Sequence, residues 1–279
     1  MSRPADSRTV GLSALLLLLA PPAAAQVAPN TTTRYLFPTD VSDARALWVN
    51  PAGLGAFPEA SVHLDLTVGD PGTSGKLRQL TFGLDSRGLS LGYQRDLFSD
   101  GRRGHTYRVG VATGHRGLAA GLATALYRGS GSGTGWDVGI LYDWLPALSV
   151  GGAIQNVGRP EMRDSTLRVT YVPGATLQLL QRRIVLSALS RFTTDGMEGY
   201  AFGLRGTLGS GSKLPIALLA RLETDRSLRR GGLAFGVSLG RDDAAGLVAT
   251  MPGDVSGIDA LSLYGVSTRR FASPPRRPH

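Results

Sequence analysis

The sequence predicts an all-β fold, a transmembrane antiparallel β-barrel of about 14 strands, and three observations lead there. From Ala60 onward apolar and polar residues alternate one by one through successive segments, the period that puts neighbouring side chains on opposite faces of a strand. Short polar turns and longer polar loops roughly alternate between those segments, as they do where hairpins have a short-turn end and a long-loop end. Aromatic residues fall near segment ends, where an amphipathic ring suits the edge of an apolar layer. A short helix-like piece precedes the alternation, so the full expectation is about 12–14 strands with a short N-terminal helical plug segment.

The N-terminus reads as an export signal. Arg3 and Arg8 lead into the apolar run VGLSALLLLLA (residues 10–20), and Ala23, Ala24 and Ala25 supply a small-residue cleavage site. That run is shorter than the roughly 20 residues a spanning helix needs, so a signal cut after Ala25 is expected, with an uncleaved anchor as the alternative. No Cys occurs anywhere, which excludes a lipid anchor on the chain and any disulfide. No later stretch has about 18 consecutive apolar residues, which excludes a helical membrane protein. The expected division is a signal over 1–25, a plug or lead-in over 26–58, the barrel over 59–271, and a tail over 272–279 whose Pro and Arg residues forbid strand continuation, leaving it free in the periplasm.

The plug expectation rests on DARALWVNPAGLG (residues 43–55). Ser42 or Asp43 can cap a short helix, and Pro51 holds Asn50 outside helical geometry and ends it. Gly53 and Gly55 permit turns that other residues resist. The product is a compact element with Asp43, Arg45, Asn50, Pro51, Gly53 and Leu54 as its motif, and with Leu47, Trp48 and Leu54 able to pack inside. An ordered lead-in to the first strand is the plainer alternative.

Strands are expected over 60–68, 77–85, 88–97, 104–113, 117–128, 134–144, 147–156, 166–180, 183–193, 198–208, 213–223, 231–240, 244–251 and 259–270. Pro173 threatens to split one of them, and 183–193 alternates poorly. One face carries Leu, Val, Phe, Tyr and Trp, and the other Gly, Ser, Thr and Ala with scattered charge. A soluble sandwich would alternate in the same way. The export signal and the aromatics near strand ends (Tyr93, Phe98, Tyr107, Tyr127, Trp136, Trp144, Tyr200 and Phe271) favour the barrel, in which no edge is left unpaired in lipid. Asp65, Asp85, Arg108, Asp137, Asp143, Arg205 and Arg221 then belong to the lumen, since charge facing lipid is costly. Gln155, Arg168 and Arg191 fall on the same face. Such groups either pair to fill the interior or line a conduit.

No catalytic, metal or cofactor site emerges. The net charge of +9 is carried by arginines spread over turns and polar faces rather than clustered with aromatics, so no nucleic-acid partner is expected. His63 and Asp65 share a strand face, but two ligands fit a hydrogen-bonded network better than a metal. Ser210 to Lys213 has the bare S-x-x-K spacing within a Gly-rich turn rather than at a helix start. Gly206 to Ser212 narrowly misses a phosphate loop, and RGSGSGTG (residues 128–135) reads as a flexible loop.

Ser42-Asp43-Ala44-Arg45-Ala46-Leu47 followed by Asn50-Pro51-Ala52-Gly53-Leu54 resembles the N-terminal signature of the FadL-type long-chain fatty-acid transporters and the related PorV/PorQ-like outer-membrane proteins. LSVGGAIQNVG (residues 148–158) is similar to a strand ending of the PorV-like branch. The resemblance implies a bacterial outer-membrane barrel of fourteen strands around an N-terminal helical segment, embedded in outer-membrane lipid and binding or passing a hydrophobic small molecule. Its PorV-like side implies instead a non-transporting scaffold that docks secretion or surface proteins. The chain is short for the transporters, and the residues after Phe271 depart from a standard barrel ending.

Overall fold

The computed structural model describes residues 35–69, 75–162 and 165–271. The expected signal, residues 26–34 and the tail lie outside the described residues. One helical turn, α1 (Ala46–Val49), runs into a 3-10 turn over Pro51–Gly55. Asn50 divides them: its extended backbone ends the first, and its side chain accepts from the Ala52 amide to cap the second.

Fourteen antiparallel strands follow. They are β1 (Glu59–Gly69), β2 (Lys76–Ser86), β3 (Leu89–Leu97), β4 (Arg103–His115), β5 (Leu118–Gly129), β6 (Thr134–Leu145), β7 (Leu148–Val157), β8 (Thr170–Leu179), β9 (Ile184–Thr193), β10 (Gly196–Leu208), β11 (Ile216–Asp225), β12 (Arg230–Gly240), β13 (Asp243–Pro252) and β14 (Ala260–Arg270). Each pairs with its sequence neighbours, and β14 pairs with β1 from Glu59 opposite Arg270 to Gly69 opposite Ala260, which closes the barrel. Closure leaves no open edge in the sheet. The end where β1 starts and β14 finishes is called the near end below, and the opposite one the far end.

All fourteen expected segments contain a strand, and the alternation resolves as expected for a membrane barrel. Val62, Leu64, Leu91, Val109, Ile140, Phe202, Phe235 and Leu263 stand exposed on the outer face. Pro173 does not split its strand: the β7 ladder runs through it, opposite Gly152, while the β9 ladder skips residues 172–173 where the proline cannot donate. Three readings need correction. The segment expected over 166–180 begins as a separate strand, Ser165–Thr166, with β8 starting at Thr170. RGSGSGTG is not a loose loop, because Gly129 and Gly133 turn the chain in left-handed conformation and Gly131–Ser132 pairs with Glu161–Met162 in a small three-stranded sheet. Tyr127 does not join an outer aromatic band but faces inward, buried with Ala125, Met162 and Leu167.

Candidate functional site: the lumen and its internal segment

Residues 35–58 lie inside the barrel. Ala44, Ala46, Leu47, Ala52 and Leu54 are fully buried, and Trp48 nearly so. A short polar-flanked helix has too little apolar surface to fold alone, so its packing must come from the wall. The wall provides it by omitting side chains. A Cβ on Gly92 would come within 2.8 Å of Trp48 and one on Gly110 within 2.6 Å of Leu47, while on the segment itself a Cβ on Gly55 would come within 2.8 Å of the Thr113 backbone. Gly121 and Gly139 leave room for Pro51, Asn50 and the Ala52 amide in the same way. Strands β3 to β6 therefore form a seat in which glycine lets two backbones approach closely.

Hydrogen bonds fix the segment at every level. Asn50, with no exposed surface, donates through Nδ2 to the Pro38 carbonyl at 2.8 Å and to the Ile140 carbonyl of β6 at 3.2 Å. Gln155 on β7 donates to the Val49 carbonyl at 2.8 Å, so the two stretches that carry the family resemblance meet in space. The Ala44 amide donates to Ser61 Oγ at 2.7 Å, and the Thr39 and Thr176 hydroxyls share a 2.7 Å bond.

Two buried arginines act as clamps. Arg108 Nη1 donates to the Leu47 carbonyl at 3.0 Å and to Asp137 Oδ2 at 2.5 Å, while its guanidinium lies 5.0 Å from the centre of the Trp48 ring. The other Asp137 oxygen accepts from the Asn156 amide at 2.8 Å. Across the lumen, Arg221 donates to the Leu36 carbonyl at 2.7 Å and to Glu223 at 2.9 Å, and stacks 4.6 Å from the centre of Phe37. Charge buried in this way is tolerable because each guanidinium meets both a carboxylate and a backbone carbonyl of the segment.

The remaining sequence-derived candidates divide. Arg205 pairs with Asp40 of the segment at 2.9 Å and is partly exposed. Asp65 is fully buried beside Thr67, and His63 Nε2 stands 4.0 Å from it, too far for a hydrogen bond. No group of three metal-binding side chains occurs among the described residues. Asp85 is buried beneath the near end, and Asp143 is exposed there, accepting from Ser149 at 2.6 Å. Within the segment, Asp43 and Arg45 form a 2.6 Å ion pair. Burial alone would raise the Asp43 carboxyl, but the adjacent Arg45 holds it below the usual carboxylate range. Asp40 goes the other way: its burial pushes the carboxyl up, and Arg205 offsets only part of that. Asp40, Ser61 and the glycine seat escaped the sequence reading. Only the high glycine content of the polar face hinted at the seat.

The segment leans on one side. Between it and the β6–β14 side lies a cavity of about 630 Å³ that reaches the near-end turns. Its walls are more polar than apolar: Phe37, Val185, Leu219 and Val248 alternate with Asp40, Glu59, Ser149, Gln178, Ser187 and Arg205, and Arg182, Arg183 and Arg241 stand at its mouth.

No family model matches the chain, and no curated protein matches it. Solved structures do. The Ralstonia pickettii toluene transporter TbuX superposes with a TM-score of 0.58 at 13% identity, over 86% of this chain and 98% of that one. The deltaS2 mutant of the TodX monoaromatic hydrocarbon channel gives 0.50 at 11% identity, over 86% and 98%. A Pseudomonas aeruginosa FadL homologue gives 0.49 at 8%, over 85% and 94%. At these identities the first two likenesses establish the fold alone, that of outer-membrane β-barrels.

Proposed function

We propose that this is a non-enzymatic outer-membrane barrel, exported by a signal over residues 1–25, that binds or passes a hydrophobic small molecule, with residues 35–58 as its plug. The observation that carries this reading is the asymmetric seating of the segment: it fills one side of the lumen and leaves on the other a cavity that reaches the near end, polar over most of its lining with an apolar stretch at Phe37, Val185, Leu219 and Val248. At about 630 Å³ that cavity falls in the range of small-molecule sites, roughly 300–1,000 Å³. The cargo class follows the named cargoes of the two neighbours, toluene and monoaromatic hydrocarbons, which are small and apolar. The PorV-like scaffold reading, with secretion or surface proteins as partners, calls for long apolar loops. The longest connection, residues 158–169, instead buries Met162 and Leu167 against the inner wall.

Deleting residues 42–55 tests the plug. The shortened barrel should show a higher single-channel conductance in planar bilayers and faster entry of a radiolabelled aromatic hydrocarbon into proteoliposomes. Unchanged conductance removes the plug role, and raised conductance without hydrocarbon entry removes the cargo.

A further inference from the structure

The two ends of the barrel differ in how they carry charge. At the far end cations and carboxylates mix and pair: Asp100 binds Arg102 at 2.8 Å, and Asp195 binds Arg168 at 2.8 Å. The near-end turns span residues 87–88, 116–117, 146–147, 180–183, 209–215 and 241–242. They hold Arg87, Arg116, Arg182, Arg183, Lys213 and Arg241 against the single carboxylate of Asp242. Three of these cations, Arg182, Arg183 and Arg241, border the cavity mouth. The other three, Arg87, Arg116 and Lys213, do not, and none of the three forms an ion pair among the described residues.

Each of those three stands next to an exposed leucine at the rim of the outer apolar face: Arg87 precedes Leu89, Arg116 precedes Leu118, and Lys213 precedes Leu214, which is 68% exposed. Arg87 is held outward by stacking 4.7 Å from the centre of Phe271, itself exposed at the end of the last strand. The backbone makes the placement pointed. Arg87 and Arg116 have φ of 53° and 51°, each followed by a left-handed glycine, a two-residue hairpin turn whose first position suits Gly, Asn or Asp. A long cation there carries strain that the turn itself does not require.

We propose that these three turns form a collar for anionic phospholipid headgroups at the near-end membrane surface. The leucines dip into the acyl layer and the cations meet the phosphates just above it, as interfacial cations on apolar stems do. Short turns place this end on the periplasmic side, so the lipid is that of the inner leaflet. The inference rests on the membrane reading above, and the test separates the two.

The full chain is reconstituted in nanodiscs of equimolar phosphatidylglycerol and phosphatidylethanolamine, and the lipids it retains on release are weighed by native mass spectrometry. The wild type should retain phosphatidylglycerol over phosphatidylethanolamine by about fivefold at each collar position, given roughly 1 kcal/mol for each interfacial cation. The triple variant Arg87→Gln, Arg116→Gln, Lys213→Gln should fall to near parity. A far-end triple variant, Arg159→Gln, Arg226→Gln, Arg229→Gln, should keep the wild-type ratio, and excess inorganic phosphate should not compete. Heat-shifted gel migration confirms that each variant is folded. Equal retention by the wild type, loss in the far-end variant, or full competition by free phosphate overturns the collar while leaving the membrane reading intact. A chain that enters no nanodisc overturns the membrane reading itself.

Discussion

The two sides of the lumen do opposite things with similar strands. On β3 to β6 the inward positions nearest the segment are glycines, and the segment's backbone lies where side chains would be. On β9 to β13 the inward positions include Val185, Leu219 and Val248, and a cavity opens between them and the segment. Both sides hold the segment through a buried arginine, Arg108 on β4 and Arg221 on β11. The difference lies in packing rather than in charge: one side is shaped as a seat and the other as a wall. A segment seated on one side can block the lumen while leaving a path along the other, and each variant below strains one side of that contrast.

The largest effect should come from the clamp on the seat side. Arg108 and Asp137 each have side chains about 5% exposed, so Arg108→Ala leaves a carboxylate buried without its partner. Breaking such a pair costs about 3–5 kcal/mol. The expected outcome is a lower urea midpoint for the heat-shifted folded band. Arg205→Ala is the contrast: with its side chain 40% exposed, its bond to Asp40 should matter by no more than about 1 kcal/mol. Equal shifts for the two would show that the clamp is not a buried pair.

The seat itself comes next. Gly139→Val sets a side chain against Asn50 and the Ala52 amide, and overpacking of that kind costs about 1–3 kcal/mol. It should also loosen the segment and raise the bilayer conductance. Gly265→Val on β14 meets nothing within 4 Å, faces outward, and should leave both stability and conductance unchanged. A rise in conductance with Gly265→Val, or none with Gly139→Val, removes the seat from the account.

This contrast marks what the sequence could and could not reveal. Alternation fixes strands because it is local, and every segment from Ala60 to Arg270 that alternates became one. The break at Asn50-Pro51 was equally legible, because a proline's effect on its neighbour needs no partner. Gly92, Gly110, Gly121 and Gly139 were not legible as a seat. In a single sequence they read only as weak strand residues, and their meaning lies in what packs against them from dozens of residues away. Tyr127 failed for the same reason: its position near a strand end fits a girdle, but parity and the incoming Met162 and Leu167 turn it inward. The two-residue strands over 131–132 and 161–162 pair through backbone, so no side-chain pattern announces them.

The smallest expected effect is the most specific to the segment, because its two acids shift in opposite directions. Asp43 is lowered from 3.8, so its pairing with Arg45 favours the seated state above that value and is lost as pH falls through its depressed pKa. Asp40 is raised from 3.8, so its contribution is full below that value and is lost as pH rises through its elevated pKa. Seating should therefore be tightest between the two displaced pKa values, below which Asp43 protonates and above which Asp40 ionises. Bilayer current should dip slightly as pH falls through the raised pKa of Asp40 and rise again below 3.8, as Asp43 protonates. Asp40→Asn should remove the first limb and Asp43→Asn the second. A current that keeps both limbs in both variants would place the titrating groups on the wall rather than in the segment, and would leave the clamp and the seat as the only tested links between the two.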